Sequence, residues 1–176
     1  MTELIDVAPV QGLDPQVGLL LSMLDDGTNE WREELDDMDV TEDMLVWQVF
    51  DGGHSLGGII LHIADVEAAW IHAGAAGLDR SPDELKTLLS EETQQLNVDW
   101  PAPPRKPLSW FFEQHDAIRE KTRKILHDLN DPEMIAAHKR YQFTLRWILH
   151  HVLTHEAYHG GQAVLLALQH SRKQPS

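Results

Sequence analysis

The sequence predicts an all-α fold, a four-helix bundle with a long crossover between its second and third helices. Three observations predict it. Four long stretches carry apolar residues at helical spacing, no stretch alternates apolar and polar residues as a half-buried strand does, and one long lapse in periodicity, Ala73 to Pro107, separates the second stretch from the third. With 176 residues, 42% of them hydrophobic, the chain is long enough to bury one core, and residues 1–176 are expected to form a single domain. There is no internal repeat and no glycine-rich phosphate loop.

The first helix starts at Asp14-Pro15, Asp as N-cap and Pro at the first helical position, and carries Val17, Leu20, Leu21, Leu24, Trp31, Leu35 and Met38. Gly27 weakens its middle by roughly 1 kcal/mol relative to Ala. The acids Asp36, Asp37, Asp39, Glu42 and Asp43 lack the alternating ligands and central glycine of a calcium loop and read as a solvated helix end. Thr41 to Phe50 is a connection whose Trp47 reads as core, and Asp51-Gly52-Gly53 ends it. Ser55 then caps a second helix to about His72, with Leu56, Ile59, Ile60, Ile63, Val66 and Trp70 on its apolar face and His62 at the border. Glu67 falls inside that stripe, where it needs either a cationic or metal-bound partner or a tilt toward water.

In the crossover, Ser81-Pro82-Asp83-Glu84 is a capping box that opens a short helix to about Leu89, and Trp100 to Pro107 is a stiff, proline-rich extended segment. Ser109 caps the third helix, on which Phe111, His115, Ile118, Thr122, Ile125 and Leu129 share a face. The polar His115 and Thr122 on that face look onto a wet cavity or bond across to a neighbouring helix. Asn130-Asp131-Pro132 breaks the helix, Lys139-Arg140-Tyr141 lies in a loop, and the last apolar run extends from about Leu145 to Leu168.

That last run contains His150 to Gln162, the segment with the most chemistry. At about 100° per residue, His155 and His159 lie about 40° apart on the face shared by Ile148, Val152 and Leu166, so both imidazoles point inward. A pair of satisfied core histidines is one reading. Two imidazoles one turn apart, with His151 on the same side, favour a metal site. The chain has no cysteine, so a metal must be held by His, carboxylate or water, and any sulfur chemistry must come from a small molecule.

The formal net charge of -15, 29 acids against 14 bases, repels phosphate backbones and anionic lipid, so neither nucleic acid nor membrane is an expected partner. No apolar run looks long enough to span a bilayer, Met1 to Val10 lacks the regions of a signal peptide, and a cytoplasmic location is expected. His155-Glu156-x-x-His159 satisfies the zinc metalloprotease pattern, yet no acid follows His159, and the extended motif meets Gln162 and Leu165 where it needs Gly and His. The third ligand must therefore come from earlier in the chain.

Ser55-Leu56-Gly57-Gly58-Ile59-Ile60-Leu61-His62-Ile63-Ala64-Asp65 resembles the second helix of the DinB-like (DinB/YfiT) metal-binding four-helix bundles, and Trp147 to Gln162 resembles their last helix. The resemblance covers nearly the whole chain and implies His62, His155 and His159 as ligands of a divalent ion, foremost Zn or Ni, with Fe or Mn as further options. Members commonly carry Arg where this chain has Gly160, and Asn where it has His54. The resemblance implies a transferase that activates an external low-molecular-weight thiol, or a hydrolase that activates water, acting on a small-molecule substrate, with a homodimer as the expected assembly. Glu156, about 60° from His159 around the helix, could relay a proton or orient a ligand ring, or it stands solvated as an ordinary surface glutamate. The reading from a different class is a non-catalytic, stress-related module in which the metal is structural or sensory; a fourth protein ligand, His151 or His115, would favour it.

Overall fold

Asp14 begins the fold as expected: its side chain accepts the Gln16 N–H, and Pro15 opens α1, Pro15–Asp36. The structure, a computed structural model, describes residues 4–91, 99–138 and 140–173. Its order is α1, a short α2 (Glu42–Val46), α3 (Leu56–Glu67) continuing as a π-helical segment Ala68–Ala75, α4 (Pro82–Thr87), α5 (Leu108–Asp128), strands β1 (Ile135–His138) and β2 (Tyr141–Thr144), and α6 (Leu145–Lys173). The fold is predominantly helical. α1 lies along α6, and α3 packs between α5 and α6.

Ser55 caps α3 by accepting the Gly58 N–H. Every residue of Leu56–Glu67 is buried except His62, which is partly exposed. Apart from His62, Asp65 and Glu67 the helix is apolar all round, which is the pattern of a helix buried on all sides. One expectation is overturned here, because Leu56–Ala75 is long and apolar enough by length and composition to cross a membrane, although most of it is buried inside the fold. Gly57 belongs to this tight packing, since a Cβ there would lie 2.7 Å from the Phe111 ring of α5.

Two further expectations are corrected. α5 begins two residues earlier than a Ser109 cap requires: Pro107, held at φ -65°, is the N-cap and makes no side-chain cap bond. The break before α6 contains an antiparallel hairpin, with Ile135 opposite Thr144 and Ala136 opposite Phe143. Four-residue strands are too short for alternation to register in a sequence scan. Arg140 sits in its turn, and Lys139 of the expected loop, like Met1 to Glu3 of the N-terminal segment, lies outside the described residues. The core has two parts, one along α3 around Leu45, Ile60, Phe111 and Ala163, the other around Leu21, Ile71, Leu126 and Ile148 near the hairpin.

Candidate metal centre

α3 presents His62, and α6 presents His155 and His159 one turn apart on the side facing α3. The three offer nitrogen atoms that all lie within 4.8 Å of one another. His62 Nε2 and His155 Nε2 are 3.2 Å apart. Two ligands of one tetrahedral ion with bonds of about 2.0–2.1 Å stand about 3.3 Å apart, so the pair fits a shared cation.

Electrostatics agree with that fit. Burial, then the neighbouring His155 and His159, push the His62 pKa down to about 3, and burial with His159 does the same for His155. Burial also lowers His159. All three shifts favour the neutral imidazole, the form that coordinates a metal. His159 Nδ1 lies 2.7 Å from Gln162 Oε1, and because that oxygen only accepts, the ring proton sits on Nδ1 and the lone pair on Nε2. The sequence alone gives Gln162 no role at the site. Its spacing of three residues from His159 was the signal that could have found it.

Aromatic rings surround the trio. Trp100 lies 4.9 Å from His62 and 3.9 Å from His54, ring centre to ring centre, and Tyr158 stands edge-on to His159 at 4.9 Å. His151 is 6.1 Å from His155 and stacks on Trp147. Among the described residues, neither His151 nor His115 joins the three-histidine group.

Glu156 and His115 lie elsewhere, in a second buried cluster with Glu67. Its cation is Arg119 of α5, whose guanidinium donates to both oxygens of Glu67 at 2.9–3.1 Å, to Glu156 Oε2 at 2.6 Å, to Asp25 at 2.8 Å and to Thr28 at 3.1 Å. Thr28 and Trp31 of α1 donate to the other oxygen of Glu156, at 2.5 and 3.1 Å. Burial alone would raise the Glu67 pKa, but the charge and hydrogen bonds of Arg119, with His115 close by, hold it well below the usual carboxylate range. Burial alone would lower Arg119, and the two glutamates raise it instead.

Arg32 donates to His115 Nδ1 at 2.7 Å, and His115 Nε2 lies 3.4 Å from the Arg119 guanidinium and 3.7 Å from both Glu67 and Glu156. Glu67 thus meets the cationic partner its position demanded, and His115 bonds across helices. Thr122 does likewise, 3.0 Å from His72 Nε2. A guanidinium already seated between the two glutamates makes this cluster an internal ion-pair network. The sequence does not reveal Arg119 or Arg32 as members of this cluster, since an arginine in a helix gives no sign of which way its long side chain turns.

Gly160, where the resemblance would have Arg, faces α1: a Cβ there would lie 2.6 Å from Trp31 Cδ1. The departure is thus a packing requirement of the α1–α6 contact.

No curated protein matches the chain. Residues 19–168 match the family model of mycothiol S-transferase. The match runs from the first helix through the histidines of the last, and the chain belongs to the mycothiol S-transferase family, within the DinB/YfiT-like superfamily.

Proposed function

We propose that the chain is a metal-dependent thiol S-transferase, one domain folded as a DinB-type four-helix bundle, in which His62, His155 and His159 hold a divalent cation, Zn or Ni first. The observation that carries this reading is the convergence of three neutral imidazoles from two segments 93 residues apart, with nitrogens within 4.8 Å of one another, in a chain of this family. A divalent cation held by three imidazoles would keep positions for an incoming thiol and lower its pKa enough to supply a thiolate near neutral pH. The protein has no cysteine of its own to do so.

The chain's own residues do the rest by position. Gln162 fixes the His159 tautomer and turns its free nitrogen inward. Glu156, bound by Thr28, Trp31 and Arg119, sets the rotation of α6 so that its neighbours His155 and His159 face His62. In this reading Glu156 is a positioning residue. The trio lacks a fourth His, Cys, Asp or Glu among the described residues, which favours an exchangeable site over a purely structural metal. The homodimer belongs to the same proposal and is read by light scattering on the purified protein.

The test is elemental analysis of protein purified without a chelating tag, with thiol consumption by an alkylating electrophile measured on the same sample. One divalent ion per chain and a transfer rate that disappears on metal removal and returns on its readdition are expected. A transfer rate indifferent to metal would sink the proposal.

A further inference from the structure

The excursion from Arg80 to Ser90, which contains α4, is tied to the body of the fold at its neck. Arg80 donates to Asp65 Oδ1 at 2.6 Å, Ser90 Oγ donates to the same oxygen, and Arg80 Nη2 lies 3.4 Å from Ser90 Oγ. Between these two residues α4 buries none of its side chains, and it makes no extended contact with another helix among the described residues. Glu84, paired with Arg80 at 2.6 Å, reaches Lys121 of α5 only at 3.6 Å. A segment with so little buried surface opens at low cost unless something fastens it.

Asp65 is that fastening. It is buried on α3, three residues past His62, and its Oδ2 has no hydrogen-bond partner among the described residues. A buried carboxylate with one oxygen unmet depends on the donors at the other, which makes the closed neck the resting state.

The excursion meets the candidate site just before its neck. Leu88 is buried in the core beside α3, and Leu89 is held at φ 54°, in the left-handed region that a side chain disfavours, so the closed neck also retains backbone strain that opening relieves. Leu88 and Leu89, with Gly58, Trp100 and Pro101, enclose a space of about 10 Å³ beside His62. That is room for one water at most. A coordinated imidazole leaves a cation by swinging about its side-chain bonds, and on this side the His62 ring has nowhere to go.

We infer that Asp65, Arg80 and Ser90 form a latch that sets how long the cation stays bound: closed, it keeps Leu88 and Leu89 packed beside His62, and open, it makes room for that ring to swing off and for a competing ligand to enter. The inference rests on the reading of the three histidines as a metal site and adds to it a control on exchange.

The test is zinc extraction from the full-length protein by excess chelator, followed by stopped-flow absorbance, with amide hydrogen exchange of residues 82–90 and equilibrium zinc affinity measured on the same samples. Ser90→Ala is expected to speed both amide exchange and zinc extraction by about tenfold while affinity stays within about threefold of the starting protein. Asp65→Asn combined with Arg80→Gln removes the buried charges together, leaves neither alone, and is expected to act at least as strongly; it stands in if circular dichroism shows Ser90→Ala unfolded. Faster amide exchange with zinc extraction unchanged overturns the inference, as does amide exchange no faster in either variant. Faster extraction matched by an equal loss of affinity also overturns it, because that is damage to the ligands. Starting protein that takes up no zinc removes the metal reading itself and the latch with it.

Discussion

The Glu156 carboxylate lies 2.6 Å from the Arg119 guanidinium, on the side of α6 turned toward α1 and α5, while its neighbours His155 and His159 face α3. One turn of helix thus carries a structural ion pair on one face and the candidate ligands on the other. Glu156→Gln keeps a hydrogen-bonding side chain but removes its charge, leaving a buried cation partly unpaired. A loss of about 3 kcal/mol in urea unfolding is expected, together with about tenfold weaker zinc binding by chelator competition. An unchanged unfolding midpoint would show that the network does not hold the helix.

His62 is the ligand contributed from outside α6. His62→Ala is expected to weaken zinc binding by more than about 100-fold, since losing a direct ligand should exceed the 10–100-fold effect of losing a supporting contact. His151→Ala should leave metal content unchanged, and equal losses in both variants would remove His62 from any special place.

Gln162→Leu deletes the acceptor that orients His159. An about tenfold loss of zinc affinity with little change in stability is the expected pair of results; a fall in stability with affinity intact would assign Gln162 to packing alone.

Acid should destabilise the metal-free protein, and the sign follows from His72. Fully buried, it has its pKa lowered to about 4 by burial, then by Lys121. Below pH 6.5 the unfolded chain takes up this proton and the folded one does not, so the stability His72 contributes is whole above pH 6.5 and is lost as pH falls toward 4. The loss amounts to about 3 kcal/mol at about 1.4 kcal/mol per pH unit. His62 and His155, both lowered to about 3, act in the same direction and extend the window downward. Urea titrations across this range read the slope, and His72→Gln should make it shallower.

Adjacent glycines of α6 should respond oppositely to alanine. At Gly160 the new Cβ meets Trp31, and a net cost of about 1–3 kcal/mol is expected. At Gly161 nothing lies within 4 Å, so the helix should gain about 0.5–1 kcal/mol. Thermal melts of the two variants check this directly.

Much of the helical layout was legible because caps and periodicity are local signals: Asp14-Pro15, Ser55 and Ser81 each start a helix where read. The i, i+4 pair His155 and His159 was legible for the same reason, whereas His62 needed a family resemblance, because nothing in a border histidine names a partner 93 residues away. The hairpin was missed because its strands are shorter than the period test can use. The Arg119 network was missed because ion pairs across helices depend on where long side chains turn, and Glu156, read as a candidate relay, lies among those ion pairs.

The greasy twenty-residue run from Leu56 to Ala75 stays harmless only while its neighbours wrap it. Any variant that loosens α5 or α6 uncovers a segment hydrophobic enough to self-associate or adsorb to lipid. Damaged forms of this protein should therefore vanish into the insoluble fraction before they show weakened chemistry, and recovered soluble yield becomes the first quantity to weigh when its mutants are compared.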